Sequence, residues 1–273
     1  MYKIDICKKG IVILKFYDDN GSLFVELNYA KEFFSGYEKH SHDRLCIAGL
    51  IEGKISTEFH QKSIQYIRPN QLIVFNPTQV HVSKNSDIKS YDYFTFHFDT
   101  RWLKKLSLNN NIYFEDNIIN NKVLYDKFIN IAKDVVYNKN HNIHANLKSF
   151  MSDILQLYAT SHVPKDKEKY ILYDVQKYIL VNIEENITLD DIACKLGYSK
   201  EHIIRIFKKE FGLSPHAFLM NEKVNKAREI LLDGSNQNIS QVAVKLGFYD
   251  QSHLNKFFKR SFGITPNEYK KYH

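Results

Sequence analysis

The sequence predicts an α+β chain in which a β-rich amino-terminal half is followed by an all-α carboxyl-terminal domain. Three observations support this prediction. Short segments rich in β-branched and aromatic residues fill the first 100 positions, the apolar period becomes helical after residue 101, and a helical segment is repeated within residues 165–273. We therefore expect a β-barrel in residues 1–100, a helical hairpin in residues 101–164 and a helical domain in residues 165–273.

Four segments of the barrel domain have the composition of β-strands, and turns containing Gly or Pro separate them. The last segment alternates along its length, with Thr95 and His97 on the face of its tyrosines and the phenylalanines on the other face. Many short strands at this spacing are typical of a sandwich or a small barrel. The four segments are residues 11–14, 45–51, 72–75 and 91–98.

The middle region has apolar residues at helical intervals, with a polar break at residues 138–142. Two interpretations of this helical hairpin are open: it packs against the barrel, or it forms the interface of a homodimer. A charged stretch with a proline, residues 163–169, has the composition of a linker to the last domain. The periodic residues are Leu124, Phe128, Ile131 and Val135, then Leu147, Met151, Ile154 and Tyr158.

Composition and charge limit the possible functions. The formal net charge of +7 permits a polyanionic partner without demonstrating one. No apolar run reaches the length of about 18–20 residues needed to cross a bilayer, and the first residues lack the apolar segment of a secretory signal. We expect a cytoplasmic protein without membrane contact. Its cysteines, too few for a disulfide framework, are expected to be small buried residues: Cys7, Cys46 and Cys194.

An internal repeat in the last domain is the most informative feature of the sequence. Residues 192–198 correspond to residues 242–248, and residues 202–215 correspond to residues 253–266. In each copy a short helix ends at a glycine and a second helix follows, which is the arrangement of a helix-turn-helix. Thr188 and Ser240 stand where helix N-caps are expected. The predicted elements are a first unit at about 188–209, a linker helix at about 215–232 and a second unit at about 240–260.

The outer face of the second helix in each copy carries side chains that suit a DNA duplex. Groups able to hydrogen-bond base edges lie near the start of the helix, and cations follow. A linker helix of about 27 Å, at 1.5 Å per residue, would let the two recognition helices reach one face of DNA about one turn apart. The predicted DNA-contacting residues are Lys200, Glu201, Ile204, Arg205 and Lys208 in the first unit and Gln251, Ser252, Asn255, Lys256 and Lys259 in the second.

The repeated residues, and the stretch from Phe262 to Tyr269 above all, closely resemble the DNA-binding domain of the AraC/XylS family of bacterial transcription regulators. The resemblance implies two helix-turn-helix units joined by a linker helix, binding to double-stranded DNA, and RNA polymerase as a further partner. It also implies where base contacts would fall: on Glu201, Ile204 and Arg205 in the first unit and on Gln251, Ser252, Asn255 and Lys256 in the second.

The amino-terminal half resembles, more loosely, the cupin-like effector domain of the same family. In metal-binding cupins an HxH pair, a Glu and a distant His hold one ion. Here His40, His42 and His81 are present, but Leu45 and Cys46 occupy the places of the Glu. We therefore expect no metal and no cofactor, and we assign the three histidines to an effector site. A packed barrel without a ligand and a metal site are the alternatives.

These features predict a sequence-specific DNA-binding transcription factor, not an enzyme, whose barrel binds a small-molecule effector. Such an effector acts only if it binds one arrangement of the two domains more tightly than another. One alternative is a metal-dependent cupin enzyme fused to a helical domain. Another is a regulator that needs no ligand and is controlled by its abundance or by a protein partner.

Overall fold

The first half of the chain is built mainly from strands. The computed structural model describes residues 2–6, 11–18, 21–34, 36–60, 62–86, 90–106, 112–137, 142–161, 167–232 and 238–271. The strands are β1 (Tyr2–Ile6), β2 (Ile11–Tyr17), β3 (Leu23–Phe33), β4 (Tyr37–His40), β5 (Leu45–Glu52), β6 (Ile55–Phe59), β7 (Gln65–Ile67), β8 (Leu72–Phe75), β9 (His81–Asn85), β10 (Tyr91–Phe98), β11 (Ile112–Tyr113), β12 (Ile118–Ile119) and β13 (Thr160–Ser161).

Two antiparallel sheets enclose a cavity between them. The large sheet has the order β1-β2-β3-β10-β5-β8-β12 and the small sheet the order β4-β9-β6-β7, while β11 and β13 form a separate pair. Strand β12 therefore extends the large sheet beyond residue 100. Strand β10 pairs with both β3 and β5, and its register places His97 opposite Cys46. The face of β10 that carries Thr95 and His97 lines the cavity.

Three helices cover the outer face of the large sheet: α1 (Thr100–Leu106), α2 (Lys122–Val136) and α3 (Ile143–Tyr158). The phenylalanines of β10 share one apolar core with Trp102, Phe128 and Phe150 of these helices. Gly49 of β5 permits the close approach, because a Cβ at that position would lie 3.0 Å from the Phe128 ring. Packing against the sheet thus accounts for the helical period of the middle region, and a homodimer interface there stays a prediction.

The last domain is helical, and its helices divide between two apolar cores. One core joins α4, α5, α6 and the start of α7, and the other joins the rest of α7 with α8, α9 and α10. The predicted α+β fold class, with an amino-terminal sheet domain and a carboxyl-terminal helical domain, is confirmed. The helices are α4 (Lys167–Val181), α5 (Leu189–Leu196), α6 (Lys200–Phe211), α7 (Pro215–Leu232), α8 (Ile239–Lys245), α9 (Gln251–Phe262) and α10 (Pro266–Lys271).

The second core continues from the helical domain into the barrel, since apolar residues of both belong to one buried cluster. Polar contacts reinforce this junction. The Asn221 amide donates to the Ser41 carbonyl at 3.1 Å and to the Ser41 hydroxyl at 2.9 Å. Arg228 donates to Asp43 Oδ1 at 3.1 Å and is completely buried. The apolar part of the junction therefore lies at α7 and the helices that follow it. The end of α6 adds polar contacts, with His60 Nε2 2.6 Å from the Lys209 carbonyl and Lys39 donating to the Gly212 carbonyl at 3.2 Å.

Some sequence-based expectations fall outside the described residues. These are the Cys7 side chain, most of the break at 138–142 and residues 163–166 of the linker. Of the other two cysteines, Cys46 is buried as expected, whereas Cys194 is exposed and that expectation was wrong. The reason is its place on α5, whose buried side carries Ile192 and Ala193. Among the described helices, none is long and apolar enough to cross a membrane.

Candidate DNA interface and effector pocket

The first helix-turn-helix is made by α5 and α6. Thr188 caps α5, since its hydroxyl accepts from the Asp191 amide and the Asp191 carboxylate accepts from the Thr188 amide. Gly197 ends the helix with φ of 71°, a left-handed conformation that glycine adopts without strain. Ser199 then caps α6 by accepting from the His202 amide at 3.2 Å. Local sequence thus fixes both helices and the turn between them.

The outer face of α6 carries the five residues predicted to contact DNA. Four of them are exposed and Ile204 is half-buried, while the opposite face buries Ile203, Ile206 and Phe207 against the domain core. Lys200 Nζ lies 2.7 Å from Asp190 Oδ1. Both side chains are exposed, so the ion pair is weak and a phosphate can take the place of the Asp190 carboxylate. The exposed set comprises Lys200, Glu201, Arg205 and Lys208.

The second helix-turn-helix is made by α8 and α9, and one predicted cap in it was wrong. Asn238, not Ser240, caps α8, because the Asn238 side chain accepts from the Gln241 amide and the Gln241 side chain accepts from the Asn238 amide. Ser240 lies inside the helix, where its hydroxyl donates to Gln251 at 2.7 Å. Gly247, with φ of 70°, makes the turn.

The outer face of α9 is less open than that of α6. Ser252, Lys256 and Lys259 are exposed, whereas Gln251 and Asn255 are half-buried. The carboxyl-terminal ends of both helices contact the barrel. Arg260 of α9 lies 2.5 Å from the Glu38 carboxylate of β4, and the Lys209 carbonyl of α6 lies 2.6 Å from His60 Nε2. The two predicted recognition helices therefore have different surroundings, although their sequences are copies.

The cavity between the sheets encloses about 700 Å³, part of it open to solvent. Its walls come from seven strands of the barrel and, on one side, from Ser261 and Phe262 at the end of α9. Apolar side chains dominate one part, and tyrosines and histidines supply polar groups, including Tyr37 and Tyr93, whose hydroxyls lie 2.5 Å apart. This mixture of apolar walls and a few polar groups is the composition of a small-molecule site. Because α9 forms part of its wall, the pocket belongs to both domains.

The three histidines predicted for the effector site meet at one end of this pocket. His40, His42 and His81 are all buried, with ring centroids 4.4 to 5.2 Å apart. Burial lowers the pKa of His40 to about 4 and lowers the pKa of His42 and His81 well below the usual value. The three imidazoles are therefore neutral at physiological pH.

Among the pocket residues that were not recognised as site residues from the sequence are His97 and Cys46. The Cys46 sulfur lies 2.9 Å from His97 Nδ1, and the Asn28 amide lies 3.1 Å from the other ring nitrogen. Burial lowers the pKa of His97 to about 4 and raises the pKa of the Cys46 thiol. The alternation of β10 could have placed His97 in the pocket, because it put that residue on the face of Thr95.

A cluster of buried charges lies between the two domains. The Tyr269 hydroxyl of α10 donates to Glu26 Oε2 of β3 at 2.7 Å. Burial opposes ionisation of Glu26, but the cationic Arg228 and Lys15 outweigh it and lower its pKa to about 2. Within the described residues, Arg44 and Arg228 each keep two guanidinium nitrogens buried without a hydrogen-bond partner. Charge pairing as well as apolar packing thus joins the domains.

Comparison with known proteins agrees with this architecture. Residues 29–151 match the family model for an AraC-like ligand binding domain, and residues 192–272 match that for a helix-turn-helix domain. The HTH-type transcriptional regulator YbfI of Bacillus subtilis is 26% identical over 245 residues, which are 85% of this chain and 86% of that protein. The multiple antibiotic resistance protein MarA of Escherichia coli is 29% identical over 106 residues, which are 39% of this chain and 83% of that protein.

Among solved structures, ToxT from Vibrio cholerae with a bound unsaturated fatty acid has a similar fold. It is 15% identical, with a TM-score of 0.61, over 90% of this chain and 94% of that one. The two family models together account for about three quarters of the present chain. The chain belongs to the AraC family of transcriptional regulators, with an amino-terminal ligand-binding domain and a carboxyl-terminal helix-turn-helix DNA-binding domain.

Proposed function

We propose that α6 and α9 enter the major groove of operator DNA and that the barrel controls them through a small-molecule effector. The ten predicted contact residues supply the DNA-binding surface, with Arg205 as the strongest candidate for reading a base, since its guanidinium can pair with two acceptors of guanine. Lys200, Lys208, Lys256 and Lys259 suit phosphates. The duplicated helix-turn-helix, exposed in its first copy, is the observation that carries this proposal.

The effector would act through the shared wall of the pocket. Ser261 and Phe262 line the cavity and belong to the same helix as the DNA-facing Ser252 and Lys256. A ligand that fills the cavity therefore contacts the helix that it regulates. It shifts the protein toward whichever domain arrangement it binds more tightly. No catalytic step is needed for this function.

The chemistry of the pocket indicates the class of effector. An apolar body with one polar group would match the apolar walls and the cluster of tyrosines and histidines, among them the predicted residues His40, His42 and His81. ToxT, which has a similar fold, has been crystallised with an unsaturated fatty acid, which is a molecule of that class. The experiment is a thermal shift screen of amphipathic metabolites, followed by DNA binding with each stabilising compound.

We further infer that the regulator works in the cytoplasm, contacts RNA polymerase and pairs through the hairpin of α2 and α3. Val123, Tyr137 and Leu157 of this hairpin are largely exposed and could form an apolar contact between copies. Light scattering on the purified chain and on the Leu157→Glu variant tests the pairing. A monomer in both samples would contradict it.

DNA binding itself is tested with DNA from upstream of the gene for this chain. Affinity should fall by about 10³-fold between about 50 and about 200 mM salt, because cations on the protein displace condensed counterions. Arg205→Ala should reduce discrimination against a mismatched site about tenfold. The matched control is Lys177→Ala on α4, an exposed cation outside both units that should leave discrimination unchanged. Binding that ignores salt, or equal effects of the two substitutions, would contradict the proposal.

A further inference from the structure

A histidine in the first turn of α6 contacts the arginine that we expect to read a base. Arg205 Nη2 lies 3.0 Å from His202 Nδ1, and the two residues are three positions apart on the helix. Residues at that spacing are neighbours on one helix face. A guanidinium only donates hydrogen bonds, so Arg205 donates and Nδ1 of the histidine accepts. The ring of His202 is therefore neutral in this contact and carries its proton on Nε2.

Two contacts fix the position of the His202 ring. The Ser199 hydroxyl accepts from the His202 amide at 3.2 Å, which fixes the backbone at the start of the helix. The ring is half-buried and packs against Tyr198 of the turn, with ring centroids 5.9 Å apart. The exposed Arg205 side chain thus has a fixed acceptor, which reduces the number of conformations that it adopts before DNA binds.

The contact also directs Arg205 toward the end of α6 that is expected to meet base edges. Helical side chains lean toward the amino terminus, and His202 lies about one turn before Arg205 in that direction. Residues near the amino-terminal end of a recognition helix are those that reach bases in the major groove. Pairing with a guanine requires one orientation of the planar guanidinium fork. A hydrogen bond to a fixed acceptor therefore orients that fork toward the groove.

The second unit has the corresponding histidine but a different contact. In the repeat, His253 corresponds to His202, and Lys256 stands in the place of the arginine. The turn of the second copy is one residue longer. His253 Nδ1 accepts from the backbone amide of Tyr249, in that turn, at 3.4 Å. A lysine ammonium also lacks the planar fork that pairs with two acceptors of one base. The contact between a histidine and a base-reading arginine is therefore a feature of the first unit.

We propose that His202 is a positioning residue, which holds Arg205 in the orientation from which the arginine reads a base and so sets the sequence specificity of the first unit. This assignment rests on the proposed function of Arg205. In this role His202 contacts no phosphate, so its loss changes discrimination between sites and leaves general DNA affinity unchanged. A histidine that only packs against Tyr198 would tolerate replacement by another aromatic ring.

The test measures which bases the full-length chain selects from a library of random DNA duplexes. His202→Phe keeps an aromatic ring beside Tyr198 but removes the acceptor, and it should lower discrimination at one base pair about fivefold. His202→Asn places an amide oxygen near the position of Nδ1 and should keep discrimination within about twofold of the unmodified protein. The salt dependence of binding should be the same in all three proteins. The matched control is His253→Phe in the second unit, which should leave discrimination at that base pair unchanged.

A double-mutant cycle shows whether the effect passes through Arg205. With Arg205→Ala in place, His202→Phe should have no further effect at that base pair. An equal effect of His202→Phe in both backgrounds, no effect in either, or the same loss in His202→Asn would overturn the proposal. A chain that selects no sequence would contradict the proposed function itself, which distinguishes that failure from a failure of this assignment.

Nitrogen NMR on the full-length chain keeps the contact testable if a His202 variant fails to fold. The His202 ring should carry its proton on Nε2 at about pH 8. Its Nδ1 resonance should move in Arg205→Ala, because a nitrogen that loses its hydrogen-bond donor changes its chemical shift. A proton on Nδ1, or an Nδ1 resonance that stays in place in Arg205→Ala, would overturn the proposal. This measurement uses no DNA, so the contact can be confirmed while DNA binding fails, and the reverse.

Discussion

The two helix-turn-helix units are copies in sequence, yet they differ in what they pack against. Among the described residues, the core of the first unit is shared with α4 and the start of α7. The second unit shares its core with the barrel, where Met220, Val224 and Phe258 belong to the same buried cluster as Phe59 and Phe75. The barrel also contacts the end of the first unit, where His60 Nε2 lies 2.6 Å from the Lys209 carbonyl and Lys39 donates to the Gly212 carbonyl at 3.2 Å. An effector domain that shares its apolar core with one unit of two can change the spacing of the recognition helices without unfolding either. The shared apolar core therefore makes the second unit the expected route by which the barrel acts on DNA binding.

The largest expected effect that tests this contrast comes from Arg228. Arg228→Met should destabilise the protein by about 3–5 kcal/mol, because it leaves Asp43 without its ion-pair partner and removes the largest cationic contribution at the buried Glu26. Denaturant unfolding measures the change. The same substitution in the first unit, Arg205→Met, removes an exposed side chain and should cost less than about 0.5 kcal/mol. Similar losses of unfolding free energy in the two variants would show that the buried charges at the junction with the barrel stabilise the protein no more than an exposed side chain does.

A second effect, of intermediate size, concerns Glu222 on α7. Burial raises its pKa from 4.5 to about 7, and the nearby Asp43 of the barrel and Glu229 of α7 act in the same direction, against the amides of Asn221 and Asn225. The folded protein therefore holds the carboxyl proton of Glu222 more tightly than the unfolded chain does. Below about pH 4.5 the carboxyl is protonated in both states, and Glu222 does not reduce the free energy of unfolding. The loss of free energy of unfolding caused by ionised Glu222 grows as the pH rises to about 7 and is constant above it.

Glu222→Gln should therefore stabilise the protein by up to about 3 kcal/mol at about pH 8 and change little at about pH 4.5. Unfolding in urea at both pH values measures this. Glu229→Gln is the matched control, since Glu229 forms a partly exposed pair with Lys226 at 3.0 Å. If both variants follow the wild-type pH profile, Glu222 is ionised in the folded state and the junction is more hydrated than its burial indicates.

Sequence patterns predicted the elements of both units but not the contrast between them. Gly197 and Gly247 mark turns, and the caps use groups within three residues, so local chemistry specifies these structures. The one wrong cap, Ser240, arose because Asn238 also stands at a suitable position and makes a reciprocal pair with Gln241. The alternation of β10 likewise predicted which of its residues share a face, while the structure shows which of the two faces lines the pocket.

The docking of the domains could not be predicted, because it joins residues far apart in sequence. Glu26 meets Tyr269, and Asp43 meets Arg228, with no local pattern to indicate either pair. The pocket residues also divide into those that sequence could identify and those that only the tertiary structure brings together. His40 and His42 were recognisable from their spacing, whereas the approach of Cys46 and His97 follows from the register of β5 against β10. Local periodicity specifies which face a residue occupies, but only the tertiary pairing specifies its partner.

The smallest expected effect addresses the restraint on α9 directly. Glu38→Gln removes the barrel half of the pair with Arg260 and leaves every cation of the recognition helix in place. Both side chains are substantially exposed, so the loss of stability should be under about 1 kcal/mol. If the pair restrains α9 in an arrangement unsuited to DNA, its removal should raise affinity for the operator by up to about fivefold.

Glu58→Gln makes the same charge change at an exposed position of β6 in the small sheet and is the matched control. A general reduction of negative charge would raise the DNA affinity of both variants equally, whereas release of α9 would raise it only in Glu38→Gln. Equal binding curves for the two variants would therefore locate the control of DNA binding elsewhere. The buried contacts of Asn221 and Arg228, which hold α7 rather than α9, would then be the place where the barrel acts.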